Sequence, residues 1–387
     1  MAFVFVTIFL FISYAVLLIY YRNSWCRINA FEPSSKLNAS DLPFLSIIIP
    51  ARNEEHNIGN CLESVFNQNY PAEKFEVIVI NDHSTDNTSS VISSFQKDNI
   101  RVFNLADFMQ DQNINSYKKK SIEIALRFCK GDLIITTDAD CVSPPEWLTT
   151  IASFNKERKP AFIAMPVSFM QPPASDSFAK KSFKIFQSLD FMTLQGITGA
   201  SVSKKFHSMC NGANLAYEKK AFYEVNGFEG INSIASGDDM LLMHKIQTKY
   251  PDGVHFLKSQ NVIVQTKPEE SLKDFLNQRI RWASKAGHYT DKKITTVLFL
   301  VYFLNAWTLL LAICSFFFMQ IFVLFLATIL LKTIVELIFL YPVAKFFGKQ
   351  KLLWWFVPAQ PFHILYTLAA GWLGKFGSYK WKGRKVK

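Results

Sequence analysis

Apolar and polar residues are segregated along this chain into long blocks. Residues 2–21 are an almost unbroken apolar run, which at about 1.5 Å per residue crosses a hydrocarbon layer of roughly 30 Å. The run predicts a membrane-spanning helix over 1–22. A cleaved signal peptide is the other reading of such a run. No positive charge precedes it, it is long, and no small-x-small site follows it. Arg22 and Arg27 come directly after it and assign that side to the cytoplasm by the positive-inside rule. Residues 294–347 are again strongly apolar and long enough for two spans. Lys332 and Glu336 interrupt the second span, four residues apart, where they can pair on one helix face. A third apolar stretch, 352–374, carries Pro358 and Pro361, and a basic tail over 375–387 follows. Counting every stretch as a span would put that tail outside, against the charge rule. The expectation is therefore a re-entrant or interfacial segment whose prolines break the helix.

Between these blocks, over about 32–290, the pattern becomes that of a soluble domain. Leu45–Ile49, Phe75–Ile80 and Asp132–Thr137 are short apolar runs, each reading as a strand buried on both faces. Helical stretches over about 54–68, 84–97 and 117–129 alternate with them. This alternation predicts an α/β fold with a doubly wound, mostly parallel sheet, flanked by transmembrane helices at both ends. Ligands of such sheets bind beyond the carboxyl ends of the strands, so those ends are where chemistry is sought.

Composition sharpens the membrane reading. Half of the 387 residues are apolar, 37 of them Phe, and the mean hydropathy is +0.12. The net charge of +11 admits nucleic acid as a partner. The basic residues, however, crowd the membrane-proximal stretches, where anionic lipid heads account for them, and form no separate basic domain. No nucleic-acid partner and no obligate protein partner is expected. The six cysteines are scattered without a Cys-x-x-Cys pair, so neither a zinc site nor a disulfide framework is predicted.

Five segments carry candidate chemistry. Pro50-Ala-Arg52-Asn53-Glu54-Glu55 follows the first strand; it is a ligand-side turn, or simply a helix start capped by Asn53 with acids at its positive end. Asp82, in Asn81-Asp82-His83-Ser84, can accept from a nucleobase or a ribose hydroxyl, while Ser84 can equally cap a helix. Asp138-Ala-Asp140 leaves the third buried strand with both carboxylates directed to one side. Such a pair suits a hard cation, Mg2+ or Mn2+, bridging a nucleotide diphosphate. Ser236-Gly-Asp238-Asp239 stands at a helix start, where acids are ordinary capping material; a general base is the alternative. In Gln278-Arg-Ile-Arg281-Trp282, Gln278, Arg281 and Trp282 share one face of a helical stretch over 271–289. Arg281 can hold a diphosphate and Trp282 can stack on a sugar, or the helix can lie on lipid.

These five pieces in this order resemble glycosyltransferase family 2, over about Phe44 to Trp282. The resemblance implies a GT-A fold, with a Rossmann-like nucleotide half and an acceptor half. It implies that Asp82 contacts uracil or ribose, and that Asp138 and Asp140 contact nucleotide and metal, with Asp140 the direct ligand. Asp239 corresponds to the base of the family's acidic pair, with Asp238 before it. Gln278, Arg281 and Trp282 would hold the diphosphate and the acceptor end. Asn211-Gly-Ala-Asn214 resembles a segment near the acceptor pocket, and Lys119 or Lys120 a donor-site lysine that usually follows a glycine. Asn81 stands where aspartate is common, Asp238 where glutamate is common, and the lysine run lacks its glycine. Trp381-Lys-Gly-Arg384 resembles a cytoplasmic tail of lipid-modifying bacterial members.

The expected reaction is an inverting, metal-dependent transfer from a nucleotide-sugar donor, with uridine the family's commonest base. The expected setting is a bacterial plasma membrane with the catalytic domain in the cytoplasm. Few spans leave little material for a polymer tunnel, so a membrane-lipid acceptor is favoured over a glycan made by a polysaccharide synthase. A catalytically inactive nucleotide-binding scaffold is the third reading; it would have no need of a metal pair together with a base.

Overall fold

The computed structural model describes residues 1–33, 41–109, 116–207, 209–234, 237–285 and 291–376, and the backbone of 379–381 and 384–386. Ser236, part of the segment singled out above, and the side chains of the basic tail lie outside the described residues.

After α1 (Ala2–Arg27), the chain alternates β1 (Leu45–Ala51), α2 (Ile58–Phe66), β2 (Phe75–Asn81), α3 (Thr88–Ser93), β3 (Ile100–Asn104), α4 (Tyr117–Phe128) and β4 (Leu133–Thr136). Then come α5 (Trp147–Arg158), β5 (Phe162–Ala164), β6 (Val167–Phe169), α6 (Phe178–Lys204), β7 (Leu215–Glu218), α7 (Lys219–Glu224), α8 (Met240–Lys249), β8 (Val254–Phe256), β9 (Val264–Thr266) and α9 (Leu272–Ser284). The C-terminal part holds α10 (Lys292–Cys314), α11 (Met319–Phe346), α12 (Phe356–Phe376) and a hairpin of β10 (Tyr379–Trp381) and β11 (Arg384–Val386).

Seven strands form one sheet in the order β3-β2-β1-β4-β7-β5-β8. Only β7 runs against the rest, antiparallel to both β4 and β5. The sheet is the mostly parallel, doubly wound one that the alternation predicts. The chain winds from β1 to β2 and β3 on one side, then returns to place β4 on the other side of β1. The crevice between β1 and β4 is thus a topological switch point, where ligands of such sheets sit. Pro50 is tolerated in this central strand because the β1–β4 pairing ends at Ile48 opposite Thr136, so its missing N–H falls beyond the last rung on that side.

Side chains alternate across the sheet and divide the core in two. Leu45, Ile47 and Ile49 pack with Val77, Val79 and Ile135 under α2 and α5. Ile48 packs with Ile78, Ile80 and Ile134 on the other face. That second core also contains Tyr14, Leu18, Tyr21 and Trp25 of α1 and Phe339, Leu340 and Val343 of α11, so apolar helices and sheet share one interior.

Among the described residues, three helices are long and apolar enough to cross a membrane: Phe3–Arg27, Lys292–Cys314 and Met319–Phe346. These associate the protein with a bilayer. Lys332 and Glu336 do pair, at 2.6 Å, and two further helices join them: Gln360 of α12 accepts from Lys332 at 2.9 Å and Tyr14 of α1 donates to Glu336 at 2.6 Å. The expectation that Pro358 and Pro361 break the third stretch is corrected. A 3-10 turn over Gln350–Trp355 leads into α12, which runs 21 residues with Pro361 inside it. Both prolines fall in the first two turns, where few or no backbone N–H partners are forfeited.

The helices expected over 54–68 and 84–97 are shorter than predicted, because each is preceded by a turn rather than a capped start. Asn53 and His83 both adopt left-handed backbone, at φ 51° and 53°, a conformation Asn and His tolerate better than most residues.

Candidate active site

Three strand ends converge on one cleft. Pro50, Arg52 and Glu54 come from the end of β1, Asp82 from the end of β2, and Asp138 and Asp140 from the end of β4, all lining a cavity of about 1620 Å³. Asp82 is fixed by its own neighbours: His83 Nδ1 lies 2.9 Å from its carboxylate and the Arg52 guanidinium 3.8 Å away. Arg52 also donates to the Asp82 carbonyl at 2.8 Å, tying the ends of β1 and β2 together. Glu54 accepts from Asn57 at 2.7 Å, and its backbone N–H donates to Thr88. Asn53 is not on the cleft wall and caps no helix. Its side chain accepts from the Thr85 N–H at 2.9 Å and braces the loop after β2.

Asp138 and Asp140 face different partners. Lys118 Nζ sits 2.7 Å from Asp138 and 2.9 Å from Asp238, a bridge between the strand-end acids and the acidic pair. The two carboxylates raise the ammonium's pKa well above its ordinary value, against burial acting the other way. Asp140 accepts from Thr266 Oγ1 of β9 at 3.2 Å.

The donor-site lysine is expected at Lys119 or Lys120; the lysine of this run that meets the strand-end acids is Lys118. Lys120 turns away to Glu123, at 3.8 Å. Lys119 is buried and donates to the carbonyls of Ile231 and Ile234 at 2.6 and 2.8 Å; burial pulls its pKa down to about 8. All three lysines open α4, and helical period turns only one of them into the cleft.

Asp239 is the N-cap of α8. Its carboxylate accepts from Met240 N–H at 2.7 Å and Gly212 N–H at 3.1 Å, and Lys285 Nζ lies 3.3 Å away. Burial alone would raise its pKa. Lys285, the Met240 amide and Lys118 overcome that and hold it below the usual carboxylate range. Asn211 lines the cavity beside it. Asn214, expected near the acceptor, is instead fully buried. It donates to the carbonyls of Pro166 and Val262 and accepts from the Trp147 indole N–H, so it joins β7 to its neighbours.

Gln278, Arg281 and Trp282 of α9 all reach the cavity. Gln278 donates to Glu269 at 2.8 Å. Burial foremost, with Asp274 nearby, raises the Glu269 pKa. Beyond Trp282 the same cavity continues between Leu298, Phe299 and Tyr302 of α10 and Ala370, Gly371 and Trp372 of α12. Lys118, Lys285, Thr266 and Glu269 are among the lining residues that the sequence reading missed. Lys285 stands four residues after Arg281 on the same helical stretch, a spacing that is the one sequence signal for it.

Residues 46–224 match the sequence profile of the family described as Glycosyl transferase family 2. Glycosyltransferase AglE of Haloferax volcanii is 34% identical over 111 residues, which are 28% of this chain and 34% of that protein. A dolichyl N-acetyl-α-D-glucosaminyl phosphate 3-β-D-2,3-diacetamido-2,3-dideoxy-β-D-glucuronosyltransferase of Methanococcus voltae is 25% identical over 262 residues, 66% of this chain and 77% of its own length. The chain thus spans only about a third of the first of these relatives. Among solved structures, the mannosyltransferase PcManGT of Pyrobaculum calidifontis, in complex with GDP-Man and Mn2+, superposes with a TM-score of 0.58 at 18% identity, covering 96% of this chain and 98% of that one. Over residues 46–224 the chain is similar to glycosyltransferase family 2, and its fold is of the GT-A type.

Proposed function

We propose that this family 2 domain transfers a hexosyl group from a nucleoside diphosphate sugar to a membrane lipid, by a single inverting displacement. The observation that carries the reading is the continuity of the cavity. It begins among the strand-end acids and ends between α10 and α12, where Phe299 and Trp372 are more than half exposed. An acceptor with a polar head and an apolar tail can enter sideways and meet the donor inside. The Methanococcus relative is named for a transfer involving a dolichyl-linked sugar phosphate, which agrees with a lipid acceptor.

The nucleotide lies on the β1, β2 and β4 ends in this reading, with Asp82 toward the base or ribose; uridine is the family's commonest base. The donor set at Asp138 and Asp140 fits a hard divalent ion, Mn2+ or Mg2+. Its oxygens are hard ligands, and the pairing of Asp138 with the Lys118 ammonium at 2.7 Å supports a site disposed to positive charge. When bound, such an ion neutralises charge on the departing diphosphate.

Asp239 acts as base. The acceptor oxygen bonds to the anomeric carbon as the bond to the diphosphate breaks, and its proton passes to the Asp239 carboxylate. The leaving nucleoside diphosphate keeps the electron pair, facing Arg281 and Lys118. Asp239 is a weak base, so it serves late, when the attacking hydroxyl has become acidic. Positioning and preorganised charge supply most of the acceleration.

The test is nucleotide release by the detergent-purified chain from a panel of nucleotide-sugars, with membrane lipid extract and Mn2+, Mg2+ or EDTA. Release that needs lipid and metal, with a glycolipid product, supports the reading. Long polysaccharide in place of glycolipid overturns the acceptor; tight nucleotide binding without any turnover supports an inactive scaffold.

A further inference from the structure

One arginine of the α9 motif has no part in the chemistry above. Arg279 is buried, and its guanidinium carbon lies 4.7 Å from the centre of the Phe275 ring and 4.2 Å from that of Trp282. One edge meets Asp190 of α6, at 2.7 Å. Asp190 is equally buried and is gripped from a third helix: Tyr366 of α12 donates to its other oxygen, and His363 Nε2 stands 3.8 Å away. The residue after it, Phe191, has its ring 6.1 Å from Trp282. A carboxylate on α6 therefore joins α6, α9 and α12 and sets the plane against which Trp282 rests.

Burying this ion pair is expensive, and well-packed apolar residues would hold three helices together as well or better. Its direction is what apolar packing would not give. A guanidinium held over an indole and drawn to one side by a carboxylate 2.7 Å away restricts the ring's tilt as well as its location. Both arginines reach the cavity wall, but Arg279 is engaged by Asp190, while Arg281, two residues on, is left for ligand.

We infer that Asp190 and Arg279 are positioning residues for Trp282, and that Tyr366 links the setting of that ring to the helix lining the acceptor's entry. This rests on the reading of Trp282 as the acceptor-side ring, and the two are separable by experiment.

The full chain, labelled with 5-fluorotryptophan in detergent, gives one 19F resonance for each of its eight tryptophans. The resonance absent from Trp282→Phe identifies Trp282. In Asp190→Asn and in the milder Tyr366→Phe, that resonance is expected to shift or broaden while those of Trp25 and Trp147 stay in place. An unmoved Trp282 signal in both variants overturns the inference, whatever the acceptor proves to be. In turnover, with membrane lipid extract as the varied acceptor, Asp190→Asn should raise the half-saturating lipid concentration about tenfold and leave the donor KM within about twofold. Combined with Trp282→Ala, it should add nothing further. Additive losses, or an equal rise in donor KM, overturn positioning through Trp282. If Trp282→Ala leaves lipid dependence unchanged, the acceptor-side reading of the ring fails, and the 19F result still decides whether Asp190 sets it.

Discussion

Lys285 Nζ lies 3.3 Å from the carboxylate of Asp239, and with two backbone N–H groups it holds that acid in its charged form. Its proton leaves below the ordinary carboxylate range, so in the proposed role of base the carboxylate is in its charged form at neutral pH. The sign for a variant follows. Removing the cation destabilises the charged form and raises the pKa, so protonation silences the base at a higher pH. In Lys285→Met, the acid limb of the kcat/KM profile should move upward relative to wild type. A profile whose acid limb stays fixed would separate Asp239 from the observed ionisation.

Lys118 and Lys120 should respond oppositely to the same change. Lys118→Met leaves Asp138 and Asp238 facing each other without the ammonium between them, and nucleotide release should fall roughly 10- to 100-fold. Lys120→Met removes only a surface pair with Glu123 and should stay within about twofold of wild type. Initial rates on the same nucleotide-sugar decide it; equal losses in the two variants would contradict the placement of the α4 lysines.

The strand-end acids predict a metal requirement. EDTA should abolish release and Mn2+ or Mg2+ should restore it, and Asp140→Asn should cost about 10²–10³ in turnover even with metal in excess. Isothermal titration of Mn2+ in the presence of nucleotide should show weaker binding in the same variant. Full activity of Asp140→Asn would remove the ion from this position.

Asn214 should behave as a structural residue. Its amide makes three hydrogen bonds inside the protein, two to main-chain carbonyls and one from Trp147. Asn214→Ala leaves those partners unpaired and should cost about 2–4 kcal/mol of stability. A lowered thermal midpoint in detergent, with the donor KM of the folded protein unchanged, is the expected pair of results; a raised donor KM at full stability would return Asn214 to the binding site.

What the sequence made legible was whatever depends on neighbours along the chain. Apolar runs of the right length became β1, β2 and β4, and the acids directly after them arrived in the cleft because strand ends are where a doubly wound sheet opens. What it hid depends on helical phase and on contacts between distant segments. Three adjacent lysines differ only by rotation about α4, and nothing local says which of them meets Asp138. Asn211 and Asn214 look equivalent in sequence, yet one lines the cavity and the other is enclosed by residues from 147, 166 and 262. Pro358 and Pro361 looked like breakers because sequence does not show that the helix begins only two residues before the first of them.

Trp25, at the far end of the first helix, packs among Phe256, Phe346 and Gly199, with the Lys258 ammonium 4.6 Å from its ring and donating to its carbonyl. A Cβ added at Gly199 would come within 2.6 Å of that indole, so the fit between α1 and α6 has no slack. The N-terminal segment is thereby a structural member of the catalytic half rather than a tether to it. Shearing it off would uncover the faces of α6 and α11 against which it packs. A soluble, helix-free version of the domain is not a smaller form of the same molecule.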